Sequence, residues 1–242
     1  NESLGEKNGV KKAEQELKNR YESLENKYDK FLAGNYDYKA NTYETNKINL
    51  LSNPTSLYTK QPTVYYGLMY LAKNAKKEVK IHTPYIICND YMYNELKNIK
   101  VPTTIMTNSA ENNGNIFGAV DYLNHKKDII NTGVTIKEYE GGISYHGKSM
   151  TIDDDIAIVG SFNMDMRSAY IDTELMLVIN SKNINKQLKA SMEEYEKKAA
   201  TVKNETEYSH IPEGMKMKEL SDKKKNIKAW FGWAMNGLRF LF

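Results

Sequence analysis

The chain of 242 residues has one cysteine and two tryptophans, and its Lys+Arg and Asp+Glu counts differ by only three. A lone cysteine excludes an internal disulfide. Cys88 also lies in the apolar run Tyr85-Ile86-Ile87-Cys88, where a buried, inert thiol is expected rather than a nucleophile. No stretch approaches the roughly 20 consecutive apolar residues that a membrane-spanning helix needs. A formal net charge of +3 gives no reason to expect a protein that wraps nucleic acid. The chain opens on Asn1 with no signal peptide following, so it reads as a piece of a longer protein whose upstream segments are not visible. No internal repeat is present.

What is present divides into three parts. Residues 1–44 hold a helix and a connector. The helix covers 11–33, where Leu17, Tyr21, Leu24, Tyr28 and Leu32 recur at steps of three and four and predict one buried stripe. From Gly34 to about Pro62 the pattern is irregular and polar. Residues 45–212 then alternate helix and strand. Helices are expected from Pro62 to Lys77, Asp90 to Asn98, Ile116 to Asn131 and Asn185 to Ala199. Strands are expected over 78–87, 103–106, 134–139, 149–152, 156–159 and 173–179, with Asp153-Asp154-Asp155 as a tight hairpin. This rhythm predicts an α/β fold, a mixed sheet sandwiched between helices.

Residues 213–242 differ. Lys223-Lys224-Lys225 precede a stretch with apolar Ile227, Trp230, Phe231, Ala234, Leu238, Leu241 and Phe242. Trp233, Met235 and Phe240 fall off that stripe and leave little polar face. Either the segment packs on the domain as a C-terminal amphipathic helix, or it lies in a membrane interface with its tryptophans at the headgroups and its lysines near anionic lipid. The second reading is favoured.

The chemistry concentrates in one run. His146-x-Lys148 is followed after four residues by Asp153, and after six more by Gly160-Ser161-x-Asn163. Six fixed positions should match by chance in only about a few chains per million. On an extended segment, residues two apart project to the same side, which brings the His146 and Lys148 side chains together. A neutral imidazole is a usable nucleophile or proton carrier near pH 7. An ammonium beside it neutralises a phosphate oxygen as charge builds. Ser161 and Asn163 can donate to phosphate oxygens or brace the histidine, and Glu174 can accept from its second nitrogen.

These residues resemble the signature of the phospholipase D superfamily. The wider context, KINLLSNP (47–54), Thr83-Pro84-Tyr85, Thr107-Asn108-Ser109 and GSFNMDMRSAYIDTE (160–174), is similar to the C-terminal half of bacterial cardiolipin synthases. The resemblance implies a catalytic set of His146, Lys148 and Asp153, with the aspartate largely structural. Lys148 and Asn163 would bind the phosphoryl group, Ser161 would support it, and Glu174 would back the histidine. It implies a phosphohistidine intermediate, no metal and no cofactor, a phospholipid substrate and a bacterial cell membrane location. Phosphatidyl transfer between phospholipids is the expected reaction. A homodimeric nuclease, a lipid-hydrolysing enzyme and an inactive membrane scaffold are the alternatives, and nucleic acid is not expected as a partner. Asp172 departs from the asparagine common in those synthases.

The resemblance also implies two facing motifs, and only one is here. His82, His125 and His210 lack the lysine and the downstream Gly-Ser-x-Asn, and read as a strand residue near the site, a helix-surface residue and a tail residue. The second half-site is expected from a missing N-terminal half or from a second copy. The aspartate run reads as a turn rather than a metal site. Asn112-Asn113-Gly114-Asn115 could be a phosphate-cradling loop or a plain one. Arg167 could meet an anionic headgroup or form a structural salt bridge.

Overall fold

A computed structural model describes residues 8–32, 37–55, 58–231, 237 and 239–241. The chain forms two units, Asn1–Tyr43 and Glu44–Phe242. In the first, α1 runs from Asn8 to Leu32. Its Leu17, Tyr21 and Leu24 are exposed, which corrects the expectation of a buried stripe: one helix offers its own unit nothing to bury that stripe against.

The second unit is built on β1 (Lys47–Ser52), α2 (Thr63–Lys73), β2 (Val79–His82), β3 (Ile86–Ile87), α3 (Asp90–Lys97), β4 (Thr103–Asn108), α4 (Ile116–Ile130) and β5 (Thr135–Tyr139). It continues with β6 (Ser149–Ile152), β7 (Ile156–Gly160), β8 (Met164–Asp165), α5 (Met166–Tyr170), β9 (Leu175–Asn180), α6 (Lys182–Glu196), β10 (Ala199–Val202), β11 (Tyr208–His210) and α7 (Asp222–Phe231). Among the described residues nine strands form one mixed sheet in the order β1-β9-β7-β6-β2-β4-β5-β10-β11. β2, β4 and β5 run parallel, and the other neighbours pair antiparallel.

Period-two alternation gives the sheet its two faces. Ile81, Ile105, Ile136, Met150, Ile158 and Met176 bury one face in a core shared with Tyr65 and Met69 of α2, Leu96 of α3 and Tyr122 of α4. α6 covers the other, where Lys80, His82 and Lys137 meet its Glu193 and Glu196. The α/β sandwich expected from the sequence is therefore present.

The strands depart from expectation in three places. β1 lies inside the stretch read as irregular connector, and pairs with β9 from Lys47↔Asn180 to Ser52↔Leu175. Residues 78–87 split into β2 and β3, because Thr83-Pro84-Tyr85 breaks the ladder and β3 pairs with β8 instead. β10 and β11 add an antiparallel edge, which places His210 in a strand rather than a tail.

The C-terminal segment is anchored on this unit. Lys224 of α7 is buried, and Arg239 binds both carboxylate oxygens of Asp121 and the carbonyl of Cys88. Trp230 is 80% exposed. Trp233, Ala234, Met235, Leu238 and Phe242 lie outside the described residues. No helix among the described residues is long and apolar enough to cross a membrane.

Candidate active site

His146 and Lys148 stand on the extended stretch leading into β6, and both side chains reach the same side. Lys148 Nζ lies 2.9 Å from His146 Nδ1 and 3.2 Å from Nε2, and donates to the His146 carbonyl at 3.0 Å. Burial, then the Lys148 charge, holds the His146 pKa below that of a free imidazole. Burial likewise lowers the Lys148 pKa, against the nearby carboxylates of Glu174 and Asp165. Both effects favour a neutral imidazole on the exposed His146, beside the partly buried Lys148.

β7 ends at Gly160, one strand over. A Cβ there would run into the Leu175 carbonyl and sit 2.8 Å from Met176 Cα, so the close β7–β9 approach requires glycine. Ser161 follows directly. Its amide donates to the Leu175 carbonyl at 2.9 Å, and its hydroxyl donates to Glu174 and accepts from the Leu175 amide at 3.0 Å. The other Glu174 oxygen accepts from Ser168 at 2.7 Å. Asn163 donates to the Ser168 hydroxyl through its backbone at 3.2 Å and its side chain at 3.3 Å. Its Oδ1 is buried without a partner.

The Glu174 carboxylate accepts from the hydroxyls of Ser161 and Ser168 and so braces the Gly-Ser-x-Asn segment.

Asp153 is set apart from this group. It caps the β6–β7 hairpin at Ile152↔Ile156 with φ +51° and accepts from the amides of Lys76, Lys77 and Glu78. At about 3.3 Å per residue, β6 separates it from Lys148 by roughly 16 Å. Its place is structural. Asp154 pairs with Lys77, and no group of three potential metal-binding side chains gathers among the described residues.

Several residues that shape this region lie in the stretches quoted for the resemblance, without a role read for them there. Ser168 links Asn163 to Glu174. Asn53 donates to the carbonyls of Ser168 (2.8 Å) and Asp172 (3.1 Å), tying α5 to the turn after β1. Asp165 is buried and caps α5 through the Ser168 amide, and burial pushes its pKa up to about 6. Asn108 brackets Tyr145, accepting from its amide at 2.8 Å and donating to its carbonyl at 2.9 Å. Their polar side chains sit at or near the ends of short elements, where only the fold reveals what they reach.

The remaining candidates resolve individually. Arg167 pairs with Asp172 through Nε at 3.0 and 3.2 Å, which also gives the divergent aspartate a partner. His82 is 1% exposed, between Tyr145 and Glu196 at 3.2 Å each. Burial lowers the His82 pKa, while Glu196 is held at about 2: its burial is outweighed by hydrogen bonds from His82 and Lys137. His125 is a helix residue paired with Asp128 at 3.0 Å. Cys88 is buried, and desolvation drives its thiol pKa upward.

Residues 68–195, over half of the chain, match the family model described as cardiolipin synthase, PLD-like domain. The chain is 30% identical over 159 residues to cardiolipin synthase 1 of Staphylococcus epidermidis, covering 64% of this chain and 32% of that protein. It is 29% identical over 159 residues to cardiolipin synthase 1 of Staphylococcus aureus, covering 64% and 31%. It thus spans about a third of the length of these relatives. The fold is similar to phosphatidylserine synthase from Haemophilus influenzae (TM-score 0.59, 16% identity, 81% of this chain and 48% of that one). It is also similar to Nuc, a phospholipase D family member from Salmonella typhimurium (TM-score 0.52, 16% identity, 64% and 97%).

Proposed function

Because the chain belongs to the phospholipase D superfamily, in the family of cardiolipin synthase PLD-like domains, we propose that it supplies one half of a phosphodiester-transfer site that moves a phosphatidyl group between phospholipids. The observation that carries this reading is the His146 imidazole at 2.9 Å from Lys148 Nζ, next to the Ser161–Asn163 segment braced by Glu174.

The reaction needs two histidines. A ring nitrogen of one attacks phosphorus, forming a P–N bond as the bond to the departing alcohol's oxygen breaks. The other histidine, protonated, gives that oxygen its proton. A second alcohol then loses its proton to the same histidine and attacks phosphorus, and the P–N bond breaks. Lys148 neutralises the phosphoryl oxygens throughout. His146 fills one of the two histidine roles, and a second half-site fills the other.

An uncovered apolar strip supports such a pairing. Ile48 and Leu50 of β1, Leu175 of β9 and Val159 of β7 are exposed on one sheet face, in the registers Leu50↔Leu177 and Val159↔Leu177. The strip ends beside Ser161, and a partner half seated there would bury it while closing the site. Exposed Trp230, with exposed Lys223 two turns earlier on the same helix face, supports contact of α7 with an anionic lipid surface. Lys224 takes no part in that contact, because it is buried in the domain.

The test is conversion of phosphatidylglycerol to cardiolipin by the protein carrying both half-sites, in vesicles, with a nucleic-acid substrate in parallel. Appearance of cardiolipin and free glycerol supports the reading. Cleavage of DNA with no lipid turnover would replace it with the nuclease.

A further inference from the structure

Residues 142–145, which lead into His146, have no strand partner in the sheet. Side chains from the loop after β4 hold them instead. Asn112 accepts from the Gly142 amide at 3.1 Å and donates to the Ile143 carbonyl at 3.2 Å and to Asn108 at 3.0 Å. The Gly114 amide donates to the Ser144 hydroxyl at 3.1 Å, and Asn108 brackets Tyr145. The position of His146 therefore depends on the shape of the loop 109–115.

That shape depends in turn on the C-terminal segment. Lys224 Nζ donates to the carbonyls of Ala110 (2.9 Å), Glu111 (2.6 Å) and Asn113 (3.0 Å). An ammonium has three hydrogens, and each has a carbonyl here. Three carbonyls converging from four consecutive residues repel one another unless a cation sits among them, and burial makes the loss of their donor costly. Two further contacts clamp the same region. The Ser221 amide donates to Glu111 at 3.0 Å, and Lys218 pairs at 3.2 Å with Glu140, just before the 142–145 stretch. Lys218, Ser221 and Lys224 all lie outside the residues that match the family model.

We propose that the C-terminal segment is a working part of the active site, with Lys224 as a positioning residue that fixes the 109–115 loop and, through Asn112 and Asn108, the approach to His146. The proposal rests on His146 being the reacting group, but its first readouts need no substrate.

The experiment compares Lys224→Ala with wild type in the full chain by amide hydrogen exchange and by NMR titration of His146. Exchange at Gly142 and Tyr145 should rise about tenfold or more while the sheet stays protected. The His146 titration should move toward the free-imidazole value as the stretch loosens and its burial falls. In phosphodiester turnover, kcat should fall about tenfold with KM within about twofold. Propylammonium, which replaces the atoms removed, should restore it. Should Lys224→Ala fail to fold, Lys218→Gln cuts the more exposed clamp and should raise exchange over 140–145. Unchanged exchange and titration in a folded Lys224→Ala, or in Lys218→Gln where the first does not fold, would overturn the proposal. A loss of turnover that propylammonium does not reverse would also do so. Altered exchange and titration in a protein whose wild type turns over no phosphodiester would uphold the positioning role and remove the functional reading alone.

Discussion

The ammonium of Lys148 lies within 3.2 Å of both ring nitrogens of His146, so the imidazole cannot gain a proton without placing two positive charges side by side. Burial is the larger cause that holds the histidine pKa down, and the lysine charge adds to it.

The first consequence is a pH profile. With His146 in the attacking role, the free-enzyme rate requires its neutral form, so the acid limb of kcat/KM should fall below the ordinary imidazole value of about 6.5. Lys148→Met removes the repelling charge and should move that limb toward higher pH, besides lowering the plateau. A limb that stays in place in Lys148→Met would show that the lysine does not act on the histidine.

Asp153 should matter to stability more than to chemistry. Asp153→Ala leaves the amides of Lys76, Lys77 and Glu78 without their acceptor, at a cost of about 1–3 kcal/mol. These amides hold the Asp153 pKa down against its burial. Its contribution is thus complete above the unfolded value of about 3.9 and is lost as pH falls through the lower folded value. Denaturant melts of wild type and Asp153→Ala should differ at pH 7 and converge in acid. The kcat of the folded variant should stay within about threefold of wild type, a barrier change below ~0.7 kcal/mol.

Activity should be indifferent to chelators, since a histidine nucleophile and a lysine supply attack and charge neutralisation. Turnover with and without EDTA checks this. Activity lost in chelator and restored by one divalent ion would redirect attention to the aspartates of the β6–β7 hairpin.

Most of the fold was legible because strands such as Ile156–Gly160 and helices such as Ile116–Ile130 carry strong local patterns. β10 was not, since Ala199 and Ala200 have little strand preference and owe their place to pairing with Tyr139 and Glu138. β1 lay in a polar context, and its Ile48 and Leu50 face outward. In the candidate site, spacing alone singled out His146, Lys148, Ser161 and Asn163, and the β6–β7 pairing sets their segments side by side. The use of Glu174 could not be read this way: a carboxylate's partner is decided by which hydroxyls the turn after β7 brings to it. The same holds for Asn108, Asn112 and Lys224, whose roles arise from segments that meet only in the folded chain.

The exposed face of α7 gives a separate expectation. Vesicles containing anionic lipid should blue-shift tryptophan fluorescence, and Trp230→Ala should weaken binding. Binding should fall as salt rises, because Lys223 contributes roughly 1 kcal/mol near such a surface. Equal binding to neutral and anionic vesicles, or binding unaffected by Trp230→Ala, would remove α7 from the membrane.

The most direct test of the central claim is the turnover of His146→Ala in the protein carrying both half-sites, with circular dichroism confirming that the fold is kept. Among the described residues His82 is buried between Tyr145 and Glu196 and His125 pairs with Asp128 on α4, so with His146 gone phosphatidyl transfer should be abolished. Activity within about tenfold of wild type, a barrier change below ~1.4 kcal/mol, would contradict the assignment of His146 as a reacting group.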